Sequence, residues 1–424
     1  MGFKSTIIWN GISQFGQSGI QFLSTIILAR LLTPDDFGII GMVNIFIILS
    51  QVMVDSEMGG ALLRKKEVNN IDYSTLFFYN LGISILIYTI LYFSAPIISN
   101  IYNRPQLIQI IRVLSICILI HAFRVVQKIM IFRDLAFRKY AVINLSSGLI
   151  SLACAIIFAK NGYGYWALVY QQIITAGLNV IFMEMSNRFI PSLSFSLASF
   201  RYQFKFGISL LGSDIILAIA NNISTNIVAK VTSLNTTGLY TQANKLTTFA
   251  QTSAGAILDQ SVFPLLAKID SKNKIDKIYN RLFLHSIIIL LLFSLVLIIF
   301  PEPIIRLILG KEWIKAGGML SILSFCTVPL ICQVLGKNIL KTLNKTHWVM
   351  KLSGVKSILL ISTMLIGSHF GFTYILWSLV ISQVLATTLW IVIIDRELNH
   401  SSFDRLALLY GAVIVMASAY LIFK

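Results

Sequence analysis

Long apolar runs, interrupted at short intervals by charged or turn-forming clusters, fill this sequence from end to end. A helix needs about 20 apolar residues to cross a hydrocarbon core. By that rule the pattern predicts 13 membrane-spanning helices, near 7–29, 38–60, 75–98, 107–130, 141–160, 165–186, 207–229, 238–262, 283–300, 316–337, 352–370, 373–394 and 405–423. The longest polar connections, near 187–205 and 267–282, are too short to fold alone. The first run has no small-residue cleavage site behind it and reads as a span, not a removable signal. The expected fold class is an all-α polytopic membrane protein.

Composition agrees. Of 424 residues, 56% are hydrophobic and 12% charged, and mean hydropathy is +0.81. Soluble domains carry about 25% charged residues. A net charge of +17 would suggest nucleic acid in a soluble protein. Here the basic residues sort by side. With the N-terminus in the cytoplasm, 21 of the 34 Lys and Arg fall in inside segments and eight in outside ones. That asymmetry sets the orientation and accounts for the basic excess without nucleic acid. An odd number of spans then puts the C-terminus outside.

An internal repeat recurs at an offset near 200. Ser24-Thr25-Ile26-Ile27-Leu28-Ala29-Arg30 matches Ser224-Thr225-Asn226-Ile227-Val228-Ala229-Lys230, and Gly38, Asn44 and Gln51 match Gly238, Asn244 and Gln251. Leu114-Ser115-Ile116 resembles Leu320-Ser321-Ile322, and Gly162-Tyr163-Gly164-Tyr165-Trp166 resembles Gly371-Phe372-Thr373-Tyr374-Ile375. The repeat unit is six spans. Six is even, so the two bundles run parallel, related by an axis along the membrane normal, and a substrate site is expected between them. The expected organisation is a first bundle over 1–189, a cytoplasmic linker over 190–205, a second bundle over 206–396 and one extra helix over 397–424. The hinge falls at Ile190-Pro191-Ser192-Leu193-Ser194-Phe195.

Polar side chains are costly inside a bilayer and should face a bundle interior or a wet cavity. Asn10, Gln14, Gln17 and Gln21 form one stripe on the first span, since residues advance 100° each. Asn44 and Gln51 follow on the second, and Asn221, Asn222 and Thr225 on the seventh. These are the cavity-lining candidates; the competing reading is interhelical hydrogen bonding alone. Five basic residues lie within spans, and Arg112, Arg124, Lys128 and Lys245 are the candidates for a phosphate or pyrophosphate. Arg offers a bidentate fork and Lys a point charge. Snorkelling to headgroups is the alternative for Arg124 and Lys128. Asp55 and Asp214 are candidates for ion coupling, against a simple ion-pair or capping role.

Nothing enzymatic stands out. No GxSxG, HExxH or P-loop occurs, and the five histidines show no metal spacing. Cys117, Cys154, Cys326 and Cys332 sit in apolar runs without CxxC spacing and read as small buried hydrophobes. Gly11, Gly16 and Gly19 in the first span allow either close packing or a bending gate.

Several segments resemble polysaccharide exporters of the WzxC type, within the multidrug/oligosaccharidyl-lipid/polysaccharide flippase superfamily. Ala29-Arg30-Leu31-Leu32-Thr33-Pro34-Asp35-Asp36-Phe37-Gly38 carries most of the likeness. Ser74-Thr75-Leu76-Phe77, Arg133-Asp134-Leu135-Ala136-Phe137-Arg138, Gly162-Tyr163-Gly164-Tyr165-Trp166 and Gly310-Lys311-Glu312-Trp313 follow in order. The resemblance implies two six-helix lobes in a V shape working by alternating access. It implies flipping of an undecaprenyl-diphosphate-linked oligosaccharide across the bacterial cytoplasmic membrane for surface polysaccharide assembly. A polymerase and chain-length machinery are then candidate partners. No cofactor, metal or catalytic residue is implied. Related members usually have 14 helices, so this chain is either truncated or one helix short. The rivals are a multidrug cation antiporter of the same architecture, a membrane-embedded polysaccharide polymerase or ligase, and a non-transporting scaffold.

Overall fold

A computed structural model describes the chain except for Met1, Gly2, residues 55–57 and 267–270, Asn344, Asn399 and Lys424. It divides into two compact units, Met1–Asn222 and Ile223–Lys424, the first and second lobes. The first holds α1 (Phe3–Ala29), α2 (Pro34–Val54), α3 (Met58–Arg64), α4 (Asn70–Tyr102), α5 (Gln106–Leu114), α6 (Ile116–Arg133), α7 (Phe137–Lys160) and α8 (Tyr165–Ser186). α9 (Leu197–Val231) begins in the first unit and ends in the second. The second continues with α10 (Leu234–Leu266), α11 (Lys272–Ile299), α12 (Pro301–Ile308), a 3-10 helix (Lys311–Ala316), α13 (Gly317–Ser324) and α14 (Thr327–Thr342). It closes with α15 (Thr346–Phe370), α16 (Phe372–Leu398) and α17 (Phe403–Phe423).

Among the described residues, nine helical stretches are long and apolar enough to cross a membrane, and a bent pair over 311–342 makes ten. The expected thirteen is not reached on apolarity because α1, α9 and α10 fall outside that set, although they are 27, 35 and 33 residues long. These are the helices on which the sequence concentrates amides. The expected span over 107–130 is two helices that break at Ser115, whose hydroxyl turns back to the Ile111 carbonyl (2.6 Å). The span over 316–337 bends by 44° between α13 and α14.

The two lobes use the same helix pairs. α4 packs on α6, α6 on α8, α2 on α6 and α7 on α8; correspondingly α11 packs on α14, α14 on α16, α10 on α14 and α15 on α16. Helix starts repeat as well. Thr33 caps α2 with Pro34 in the first position, and Asp36 returns a carboxylate to the Thr33 N–H (2.9 Å). Two hundred residues on, Ser233 caps α10 by accepting the Thr236 N–H (3.2 Å). The prolines diverge: α4 runs through Pro96 to Tyr102, whereas α11 stops at Ile299 and Pro301 opens α12.

Leu86, Ile90, Phe93 and Ile97 form a row along α4 at more than half exposure, and Ile358, Leu365 and Ile366 mark another on α15. Apolar faces of this extent belong against lipid. Polar anchors gather instead at the helix ends. Arg133 donates to the carbonyls of Leu62, Lys65 and Lys66, closing the C-terminal end of α3. The segment expected to hinge is hydrogen-bonded to the start of α4. The Ser192 N–H donates to Ser74 Oγ (2.9 Å), the Ser196 N–H to Thr75 Oγ1 (3.1 Å) and Ser199 Oγ to Asp72 Oδ1 (2.6 Å). In the second lobe, Arg405 of α17 is 1% exposed and pairs with Asp276 of α11 and Asp395 of α16. Its Nε donates to Asn280 Oδ1 (2.6 Å). The helix that falls outside the sequence repeat is therefore locked into the second lobe by charge.

Candidate functional site

α6 carries the polar interior of the first lobe. Its sequence is apolar except for His121, Arg124, Gln127, Lys128 and the terminal Arg133. At 100° per residue, Arg124 and Lys128 lie in the arc between His121 and Gln127. Each flanking residue is tied to a neighbouring helix. His121 Nε2 is 3.0 Å from Gln51 Nε2 on α2. Gln127 Nε2 donates to Glu184 Oε2 on α8 (2.5 Å). Glu184 Oε1 also accepts the Phe189 N–H (3.1 Å), which fixes the carboxylate. Arg124 and Lys128 are half-buried between these two ties. They place two cations on one arc of α6, flanked by the two ties.

The other sequence candidates divide by location. Arg112 is on α5, about 18 Å along the helix line from Arg124 at 1.5 Å per residue. Its guanidinium lies 4.2 Å from the Tyr92 ring centroid and its Nε donates to the Tyr92 carbonyl (3.4 Å). It therefore does not join the Arg124–Lys128 face. Lys245 belongs to α10 and is exposed. Gln14, Gln17 and Gln21 are exposed along one face of α1, while Ile12 and Leu23 are exposed on the opposite face. The Asn10 and Asp55 side chains lie outside the described residues. Asn44, Asp214, Asn222 and Thr225 are half-buried and Asn221 exposed. Asn222 spends a donor on the Ala218 carbonyl (2.8 Å).

α1 is flanked by α7. A Cβ on Gly16 would stand 2.6 Å from Leu145, and one on Gly148 3.2 Å from Ile20, so these two glycines let the backbones approach. Gln171 of α8 donates to Ser24 (2.8 Å).

A second polar cluster escaped sequence reasoning. In the second lobe, Lys356 Nζ on α15 donates to Gln333 Oε1 on α14 (2.9 Å). Gln333 Nε2 donates to Thr387 Oγ1 (2.8 Å) and Gln383 Oε1 (3.2 Å), both on α16. Lys356 was visible as the fifth basic residue inside a span, but its glutamine partners sit in runs that read as apolar. Among the described residues no group of His, Cys, Asp and Glu could hold a metal ion, and the four cysteines are free thiols.

Residues 27–317 match the sequence pattern of a family described as "Polysaccharide biosynthesis protein". The chain belongs to this family. Among curated relatives, it is 24% identical to the lipopolysaccharide biosynthesis protein WzxC of Escherichia coli over 77% of its own length and 66% of the relative's. It is likewise 24% identical to the teichuronic acid biosynthesis protein TuaB of Bacillus subtilis, over 74% of the chain and 66% of the relative. The chain thus spans just under two thirds of the length of these relatives. Among solved structures, the lipid II flippase MurJ superposes with a TM-score of 0.75 at 13% identity, covering 98% of both chains. A MATE-family multidrug resistance transporter of the MOP superfamily superposes at 0.69 and 12% identity, covering 93% of this chain and 98% of the other. These likenesses establish a polytopic helical membrane fold of the MATE and MurJ kind.

The segments that resemble the family in sequence turn out to be structural. Thr33-Pro34-Asp35-Asp36 is the cap of α2, and Asp36 abuts Gly164, where a Cβ would lie 3.0 Å from its Oδ1. Gly164 itself holds φ +53°, a conformation that suits glycine. Ser74 and Thr75 hold the linker, Arg133 closes α3, and Trp313 is fully buried. These segments serve to build the first lobe and the 3-10 helix before α13, and none of them contains Arg124 or Lys128 of α6.

Proposed function

We propose that this protein flips an undecaprenyl-diphosphate-linked oligosaccharide across the bacterial cytoplasmic membrane for assembly of a surface polysaccharide. The observation that carries the reading is the Arg124–Lys128 face on α6, two cations framed by hydrogen-bonded polar pairs inside an apolar lobe. A diphosphate offers the oxygen acceptors that such a pair attracts. The exposed glutamines of α1 supply donors and acceptors for sugar hydroxyls, while the polyprenyl chain stays in lipid along the apolar helix faces. Moving the headgroup through polar surface avoids its full desolvation cost. Family membership in polysaccharide biosynthesis and the fold shared with a lipid II flippase support the same reading.

In this account α1, α9 and α10 also cross the membrane, giving 13 spans, and the lobes work by alternating access. The basic connections, including those at Lys65 and at Arg133, lie in the cytoplasm. Purified protein in vesicles carrying a fluorescent undecaprenyl-diphosphate oligosaccharide tests the function. Protein-dependent loss of the headgroup from the loaded leaflet is expected. A rate equal to that of empty vesicles refutes the proposal.

A further inference from the structure

Lys356 stands near mid-depth of α15, about 15 Å from the helix start and about 21 Å from its end at 1.5 Å per residue. It is half-buried, and among the described residues it forms no ion pair. Its hydrogen-bond partner is the neutral Gln333. The direction of that bond is fixed from behind. Gln333 commits its amide N–H groups to Thr387 Oγ1 and Gln383 Oε1. Thr387 in turn directs its hydroxyl at the carbonyls of Gln383 (2.8 Å) and Pro329 (3.1 Å). Gln333 therefore always presents an oxygen to Lys356.

This arrangement discriminates among ligands. An oxyanion needs several converging donors, and Gln333 and Thr387 have spent theirs within the cluster. A metal cation needs carboxylates or carbonyl oxygens and would meet an amine instead. A proton fits: Gln333 Oε1 accepts from an ammonium and, more weakly, from a neutral amine, so Lys356 keeps its partner in both states. The ionisable side chains that the packed elements bring near are few. Cys332, Lys337 and Lys341 lie on α14, with Lys337 one turn from Gln333, and Cys326 lies in the turn before it. α16 has none between Tyr374 and Asp395, and on α15 itself Lys351 and His347 lie toward one end and His369 toward the other.

We infer that Lys356, held by the Gln333–Thr387–Gln383 relay, is a proton-binding site that couples flipping to the proton gradient. The Nζ lone pair takes a proton from water on one side of the membrane and returns it to water on the other. The inference rests on the flippase reading for its coupling and on the relay geometry for its site. It requires a group that changes charge, so a permanently charged arginine cannot replace the lysine.

Two measurements test it. In vesicles, Lys356→Arg and Lys356→Met should lose the acceleration of flipping by an imposed pH gradient while keeping flipping without one. A Lys356→Arg variant accelerated like the wild type would overturn the inference in favour of a fixed positive charge. The second measurement needs no substrate. Trp377 and Trp390 both lie on α16, so tryptophan fluorescence of the detergent-purified protein should change with pH through the neutral range and should stay flat in both variants. A flat wild-type curve, or one that both variants reproduce, overturns the inference whether or not flipping is observed.

Discussion

The two lobes share a plan but not an interior. Both cap their second helix with a hydroxyl residue, Thr33 and Ser233, and both pack corresponding helix pairs. Both also use a glutamine to link corresponding helices, Gln127 of α6 to Glu184 of α8 and Gln333 of α14 to Gln383 of α16. Charge is where they part. The first lobe puts Arg124 and Lys128 on α6, whereas in the second Lys356, a cation without an ion pair among the described residues, lies on α15. At the offset that relates Gly162 to Gly371, Lys356 corresponds to Ser147, which is buried on α7. The repeat therefore preserves what folding demands of each lobe and leaves the buried polar groups free to specialise. On this account the first lobe meets the anionic headgroup and the second handles the proton.

The largest expected effect breaks the comparison at its asymmetric element. α17 has no partner in the first lobe, yet Arg405 ties it to Asp276 and Asp395. Arg405→Ala strands a fully buried carboxylate and should cost about 3–5 kcal/mol. Thermal unfolding of the purified protein should show the largest drop in midpoint of any single variant described here. An unchanged midpoint would mean that the second lobe does not depend on α17 for its stability.

The linking glutamines come next. Gln127→Leu leaves Glu184 without that donor, and Gln333→Leu leaves Lys356 without its acceptor. Each should cost about 1–3 kcal/mol. Their functional readouts should differ: Gln127→Leu disturbs the frame around Arg124 and Lys128 and slows flipping, whereas Gln333→Leu weakens its dependence on the pH gradient. Identical phenotypes in the vesicle assay would erase the division between lobes.

The smallest effects sharpen what the lobes have in common. Thr33→Ala and Ser233→Ala each remove a helix cap, worth about 1 kcal/mol. The two should lower the unfolding midpoint by similar amounts and leave the ratio of gradient-driven to passive flipping unchanged. A loss of flipping from Thr33→Ala without loss of stability would give the family segment a role beyond folding.

How much of this could be read in the sequence follows from the same division. Hydropathy and lysine–arginine asymmetry exposed the helices, because each span must satisfy its own apolar surroundings. The repeat was readable in Gly38, Asn44 and Gln51 against Gly238, Asn244 and Gln251, while the matching caps at Thr33 and Ser233 emerge only from their hydrogen bonds. Helix breaks at Ser115 and before Cys326 were hidden, because an apolar run looks the same whether straight or bent. The site was legible only in part. Arg124 and Lys128 stood out as charges i and i+4 inside a span, and the structure frames them. Arg112, equally conspicuous, is absorbed by Tyr92. Lys356 was countable but not interpretable, because its significance lies in Gln333 and Thr387, which come from other helices and look unremarkable in their own runs. The contacts of the Ile190–Phe195 segment were hidden for a related reason: Ser192, and Ser196 just beyond it, find partners on α4, more than 110 residues away in sequence.

The central claim is that the α6 cations receive the diphosphate. The most direct measurement is flipping of a fluorescent undecaprenyl-diphosphate oligosaccharide in vesicles by an Arg124→Gln/Lys128→Gln double variant, with its reconstitution and unfolding midpoint matched to the wild type. The account predicts flipping reduced by about two to four orders of magnitude, from the loss of two charge-assisted contacts of about 1.5–3 kcal/mol each. Flipping at the wild-type rate would contradict it.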